Sequence, residues 1–102
     1  MKLTREHLAD LAVGAAFLGT GGGGDPYVGR LMVQQCLDEG CEVELIDPKD
    51  LSNDCLVIPT AMMGAPTVLV EKIPSGDEAV ASLRLLEKRL GRKAAYTMPI
   101  EI

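Results

Sequence analysis

The amino-acid sequence predicts a small α/β domain in which a mostly parallel sheet is flanked by helices. Three observations support this fold class: apolar residues recur at helical spacing in three segments, short extended segments follow the second of them, and the chain ends with a strand–helix–strand unit. The strands of that unit are expected to be parallel and its crossover right-handed. The chain has 102 residues, of which 47% are apolar and 25% charged, as in ordinary globular domains. No repeat, linker or charge block divides residues 1–102.

Two helices are predicted in the first forty residues. Thr4 is a candidate N-cap of the first helix, which ends near Leu18. Asp25 caps the second helix, Pro26 takes its first position, and Gly40 ends it as a left-handed residue. The buried faces are expected to be Leu8, Leu11, Ala12, Ala15 and Leu18 in the first helix, and Val28, Leu31, Met32, Gln35 and Cys36 in the second.

Extended segments are predicted in the second half of the chain. Residues 42–46 form a short strand, and residues 55–62 form a second one. Pro59 indicates an edge position or a bend in that second strand, because proline cannot donate a ladder hydrogen bond. Residues 68–70 are expected to add a brief strand, and residues 93–98 form the last one.

A third helix is predicted between the last two strands. Ser75 and Glu78 have the spacing of a capping box, and Gly91 ends the helix. Its buried stripe is expected to consist of Ala79, Leu83, Leu86 and Leu90.

Charge and hydropathy exclude several classes of function. Ten basic and fifteen acidic residues give a net charge of −5 with no basic stripe, so nucleic-acid binding is not expected. No apolar run approaches the ~18 residues of a membrane span, and the amino terminus does not have the pattern of a secretory signal. Three cysteines without C-x-x-C spacing (Cys36, Cys41 and Cys55) indicate reduced thiols in the cytoplasm.

The cysteines are interpreted as small buried hydrophobic residues rather than as metal ligands. A zinc site needs closely paired ligands, and only His7 would add a fourth. The sequence therefore predicts no metal site, and no residue pattern identifies a cofactor.

The main candidate for a binding site is the glycine loop, residues 19–24, between the first two helices. Its residues Thr20, Gly21, Gly22, Gly23 and Gly24 let backbone amides point into one concavity, and the following helix adds partial positive charge for an anion or a carbonyl. The loop is not a Walker loop, because no Gly-Lys-Ser/Thr follows, and a dinucleotide fingerprint would need a preceding strand. The alternative is a flexible connection between helices, and both interpretations stay open.

The predicted topology brings three segments to one edge of the sheet. Ligands of parallel α/β sheets bind outside the carboxyl ends of the strands, where residues 21–25, 63–66 and 99–102 are expected to meet. Asp25 is interpreted first as a cap, with its second oxygen free to face a ligand. Glu101 is either a general acid–base or a solvated surface group. Met63, Gly64 and Ala65 are expected to line a pocket or to belong to the core.

The end of the sequence indicates the amino-terminal piece of a longer protein. Residues 100–102 alternate like the interior of a strand, with no turn and no polar tail. The alternative is that Ile102 packs at a sheet edge. An incomplete α/β core would expose apolar surface, so we expect self-association into a homo-oligomer.

Four segments resemble the amino-terminal domain of the S-methyl-thiohydantoin desulfurase family. They are Leu-Gly-Thr-Gly-Gly-Gly-Gly-Asp-Pro-Tyr at 18–27, Met-Met-Gly-Ala-Pro-Thr at 62–67, Val-Glu-Lys with Pro-Ser-Gly at 70–76, and Met-Pro-Ile-Glu-Ile at 98–102. The resemblance covers essentially the whole chain in order. It implies a longer protein with a second domain, of which residues 1–102 are the amino-terminal α/β part.

The resemblance also implies a reaction that replaces the S-methyl sulfur of a five-membered imide ring by oxygen, giving a hydantoin and a thiol. The amides of Gly22, Gly23 and Gly24 would then bind the ring carbonyl of this small heterocycle, and Asp25 or Glu101 would orient the ring N–H or the water. The rest of the enzyme or a partner chain would complete the site, so this chain alone is expected to be inactive. The alternative is a non-catalytic binding module that docks on a hydantoinase-type partner.

Overall fold

The computed structural model describes residues 1–20 and 22–100, which divide into two compact units. The first unit comprises Met1–Leu51, and the second begins at Ser52. Helices and a small two-stranded parallel sheet make up these units, so the predicted α/β class is confirmed. No helix in the described residues is both long enough and apolar enough to cross a bilayer.

The first unit contains the two predicted helices, α1 (Arg5–Leu18) and α2 (Pro26–Asp38), which pack against each other. Their predicted starts are confirmed. The Thr4 amide donates to Nδ1 of His7 at 3.1 Å, and Oδ1 of Asp25 accepts from the Tyr27 amide at 2.9 Å. These bonds satisfy backbone donors that a helix leaves free in its first turn.

The predicted buried faces of α1 and α2 are only partly correct. Leu8 is buried, but Leu11 and Leu18 on the same face are exposed. On α2 the half-buried side chains include Val33 and Leu37, whereas the predicted inner residues Val28, Leu31 and Met32 are exposed. Apolar periodicity identifies a face that has to be covered, but one neighbouring helix covers only a narrow stripe of it.

The predicted strand at residues 42–46 is wrong, because only an isolated bridge forms there. Glu44 makes an isolated antiparallel bridge with Lys2, and the Leu3 amide donates to the Val43 carbonyl at 2.8 Å. The amino-terminal residues therefore take up the hydrogen bonds that a neighbouring strand would have used. A 3-10 turn, Pro48–Asp50, follows.

The second unit contains the predicted strand–helix–strand arrangement: β1 (Val57–Thr60), α4 (Glu78–Leu90) and β2 (Tyr96–Pro99). The two strands are parallel, as predicted, and the structure pairs Val57 with Tyr96 and Thr60 with Pro99. Ile58 in β1 is the buried apolar residue of this unit among those described.

The predicted brief strand at residues 68–70 is wrong, because these residues lie in a short helix, α3 (Pro66–Glu71). Pro66 occupies the first turn, where its fixed φ suits a helix and its missing N–H has no cost. No strand is placed beside this segment in the described residues, so the β-forming tendency of valine has nothing to pair with.

Helix α4 starts two residues later than the capping box predicted, with Asp77 as N-cap. The carboxylate of Glu78 nevertheless reaches back, accepting from the amides of Ser75 at 2.8 Å and Gly76 at 3.0 Å. Gly91 ends the helix with a φ of 66°, as predicted. Its expected stripe is mostly exposed: Ala79, Leu86 and Leu90 face solvent, and Leu83 is half-buried.

One buried carboxylate was not predicted. Glu87 is only 7% exposed, and its two oxygens accept from Nη1 of Arg84 and from the Ala94 amide, both at 2.7 Å. The Arg84 hydrogen bond, with that of Ala94, lowers the pKa of Glu87 and keeps it ionised. Glu87 lies one helical turn after Leu83, so it continues the predicted apolar stripe.

Candidate functional site

The glycine loop begins by folding back on the end of α1. The hydroxyl of Thr20 donates to the Phe17 carbonyl at 2.8 Å, and the Gly22 amide donates to the Gly19 carbonyl at 3.1 Å. The hydroxyl proton of Thr20 is thus used by α1, and the amide proton of Gly22 is used within the loop. Of the three amides proposed for a ring carbonyl, those of Gly23 and Gly24 have no acceptor among residues 1–20 and 22–100.

Gly23 and Gly24 have a backbone conformation that favours glycine. Their φ angles are 118° and 81°, in the region that L side chains rarely adopt. Neither amide donates to an acceptor in residues 1–20 or 22–100. A Cβ at Gly22 or Gly24 would meet nothing within 4 Å, so the surface of the loop is open.

Asp25 connects this open surface to α2. Its Oδ1 holds the Tyr27 amide at 2.9 Å, while its Oδ2 has no partner in the part of the chain that the structure describes. Asp25 is exposed and follows two glycines whose amides make no hydrogen bond to another described residue. The loop therefore presents backbone donors and one carboxylate acceptor at the positive end of a 13-residue helix.

The second predicted segment lies in the second unit. Met63 is fully exposed and Gly64 is exposed beside it. Ala65 is the N-cap of α3, and its carbonyl accepts from the Val68 amide at 2.9 Å. These residues form an exposed turn that leads into a helix.

The structure places Thr20 and Gly22–Asp25 next to one another in the first unit, and Met63–Ala65 next to one another in the second. Gly21 and Glu101 lie outside the described residues. The meeting of the three segments at one edge, and the roles assigned to their residues, stay predictions.

Two further features carry polar side chains. An open cavity of about 290 Å³ at the carboxyl end of α4 is lined by Arg84, Glu87, Lys88, Gly91, Arg92 and Lys93, none of which was predicted for the site. Within the described residues no group of three or more histidine, cysteine or acidic side chains is placed to hold a metal ion.

The cysteines are free thiols, but not all of them are buried as predicted. Cys36 and Cys55 are half-buried, whereas Cys41 is exposed. Sequence reasoning missed that Cys36 and Cys41 stand on either side of the predicted left-handed Gly40. That spacing is the signal that would have identified them as a pair.

The glycine loop and the parallel strand pair define the chain as a small α/β domain with an open backbone surface between two helices. Residues 6–102 match the family model described as S-Me-THD-like, N-terminal domain. The chain belongs to this family, as the resemblance implied. Comparison with curated proteins and with solved structures gives no match.

Proposed function

We propose that the chain provides the ligand-binding glycine loop of an enzyme that converts S-methyl-thiohydantoin to hydantoin. In this reaction water adds to the ring carbon that carries sulfur and the C–S bond breaks. One proton of the water leaves with the thiol, and the other ends on the neighbouring ring nitrogen of the hydantoin. The observation that carries the proposal is the open backbone at Gly23 and Gly24 beside Asp25, in a chain of the S-Me-THD-like family. Both glycines have a positive φ, and their amides have no acceptor among the described residues.

The donors and acceptors of the loop suit a hydantoin-like ring. Such a ring alternates carbonyl acceptors with N–H donors along one edge. The amides of Gly23 and Gly24 would bind a ring carbonyl, and Oδ2 of Asp25 would accept from the neighbouring ring N–H. A phosphate or carboxylate would be repelled by Asp25, so a neutral heterocycle is the better ligand.

The chemical step needs groups beyond this loop. As the thiol leaves, negative charge on the ring oxygen would be stabilised by the loop amides. We assign Asp25 or Glu101 to orienting the ring N–H or the attacking water, and Met63, Gly64 and Ala65 to the wall of the site. The general base would come from the rest of the enzyme or from a partner chain, so the isolated chain binds without turnover.

Titration calorimetry with hydantoin and S-methyl-thiohydantoin tests the binding role. Asp25→Asn keeps a good helix cap but removes the charge, so it should weaken binding about tenfold while leaving stability unchanged. Gly14→Ala, in α1 with open space around it, is the control and should bind like the wild type. Turnover by this chain alone would contradict the composite site. Unchanged binding by Asp25→Asn would contradict the role of the loop carboxylate.

A second candidate is a non-catalytic interaction module that associates with copies of itself or with a hydantoinase-type partner. The exposed residues Val28, Leu31 and Met32 on α2 favour it, because an apolar stripe of this kind is usually covered. Light scattering should then show an oligomer, and Leu31→Glu should dissociate it. A monodisperse monomer would count against association. Three free thiols suit a reducing compartment, so we place either function in the cytoplasm.

A further inference from the structure

The carboxyl end of α2 adopts a Schellman motif whose two contact positions are both cysteines. The Cys41 amide donates to the Cys36 carbonyl at 2.9 Å, and the Gly40 amide donates to the Leu37 carbonyl at 3.1 Å. Gly40 has a φ of 87°, as the turn requires. This motif brings the side chains at its first and last positions together, and in other helices that contact is commonly hydrophobic.

The two thiols influence each other in the folded chain. A hydrogen bond with Cys41 is the largest cause of a raised pKa at Cys36, followed by burial and by the charges of Cys41 and Glu39. Both thiols are free, with Cys36 half-buried and Cys41 exposed. Reagents in solution can therefore reach the Cys41 thiol, and the Cys36 thiol lies next to it.

We propose that Cys36 and Cys41 are a modification site, a thiol pair that closes reversibly into an intramolecular disulfide at the end of α2. Disulfides join Cα atoms about 4.4–6.8 Å apart. The hydrogen bond from the Cys41 amide to the Cys36 carbonyl keeps the two Cα atoms close enough for a disulfide. The inference is independent of the proposed enzymatic function.

The oxidant is a low-molecular-weight disulfide. The exposed Cys41, as thiolate, attacks one of its sulfurs, and one small thiol leaves. The Cys36 thiolate then attacks the Cys41 sulfur, and the second small thiol leaves. Two protein thiols become one disulfide, the small disulfide is reduced to two thiols, and the two protons pass from the cysteines to those thiols.

Mass spectrometry of the chain equilibrated with oxidised glutathione tests the proposal. Trypsin leaves Cys36 and Cys41 together in residues 31–49 and Cys55 in residues 50–72. The first peptide should lose about 2 Da and resist alkylation, since two hydrogens are removed. Cleavage after Glu39 should then leave two fragments joined by the disulfide. The number of free thiols should fall from the three present to one.

Two cysteine variants separate the pair from the third thiol. Cys55→Ser should form the disulfide like the wild type. Cys41→Ser should lose it and leave Cys36 open to alkylation. Glutathione adducts on Cys41 without closure, or a disulfide between two chains, would overturn the proposal.

Two glycine substitutions test whether the turn brings the two thiols together. Gly40→Ala puts a side chain at a left-handed position, so at a fixed ratio of reduced to oxidised glutathione the equilibrium constant for closure should fall about fivefold. Gly29→Ala, inside α2 at an ordinary helical φ, should close like the wild type. Equal closure in both variants would contradict the role of the Schellman turn. The cysteine variants test disulfide formation directly, so that test holds even if Gly40→Ala unfolds the end of the helix.

Discussion

The connection between α4 and β2 and the connection between α1 and α2 differ in the hydrogen bonds that hold them. After α4, the turn to β2 is fixed by side chains: Glu87 binds the Ala94 amide at 2.7 Å, and Nη2 of Arg92 donates to the Asp54 carbonyl at 2.8 Å. Between α1 and α2, Gly23 and Gly24 make no backbone hydrogen bond to the described residues. The first connection keeps two parallel strands in register. The second is held by fewer described contacts, as the proposed binding loop requires.

Removing the carboxylate that fixes the α4–β2 turn should have the largest effect. Glu87→Ala leaves the Ala94 amide without its acceptor and Arg84 without its partner, so the melting temperature should fall by roughly 8 °C. Glu87→Gln keeps an acceptor for Ala94 and should lose less. Lys88→Ala, which is exposed on the same helix, is the control for thermal unfolding by circular dichroism. A Glu87→Ala variant as stable as this control would show that the turn is held by other groups.

Acid should weaken the same connection, and by less than the substitution does. The pKa of Glu87 is lowered from the ordinary 4.5, mainly by its hydrogen bond from Arg84. As the pH falls below 4.5, the unfolded chain takes up the proton first, so the contribution of Glu87 is present above that pH and is lost as the pH falls through the lower folded pKa.

The pH dependence of urea unfolding between neutral pH and pH 3 measures this loss. Glu78 also has a lowered pKa, from backbone hydrogen bonds that include its own amide and that of Ser75, so part of the acid loss belongs to it. Glu87→Gln should therefore flatten the acid slope without abolishing it. A slope identical to that of the wild type would contradict the contribution of Glu87.

The glycine loop should respond to substitution through its backbone rather than its packing. Gly24→Ala places a side chain at a φ of 81° in open space, so it should cost about 1–2 kcal/mol of unfolding free energy from strain alone. Gly22→Ala is the matched control, because its surroundings are equally open and its φ is not positive. Equal stabilities from chemical denaturation would mean that the loop relaxes to another conformation at little cost.

Local signals in the sequence predicted much of this structure. The starts of α1 and α2 and the end of α4 followed from caps and glycines, because these depend on residues close in the chain. The parallel pairing of β1 with β2 followed from the strand–helix–strand order. The strand expected at residues 42–46 is a single bridge, and its partner segment Met1–Leu3 gave no strand signal in the sequence. The strand expected at residues 68–70 was wrong because Pro66 begins a helix there.

The candidate site was predictable in part, for the same reason. An open glycine loop with Asp25 as cap could be predicted from neighbouring residues. Burial of Glu87 could not be predicted from neighbouring residues, because it depends on the Ala94 amide that donates to its carboxylate in the folded chain. Apolar spacing likewise identified Leu31 without showing what covers it.

The smallest effect we expect compares the caps of α2 and α4. Asp25 holds the Tyr27 amide, so Asp25→Ala should cost about 1 kcal/mol of unfolding free energy. Asp77 is also an N-cap but its side chain makes no capping bond, because Glu78 binds the preceding amides instead. Asp77→Ala should then be nearly neutral in chemical denaturation. If both substitutions cost the same, the hydrogen bond from the Tyr27 amide to Asp25 adds no stability beyond that of an N-cap aspartate without such a bond.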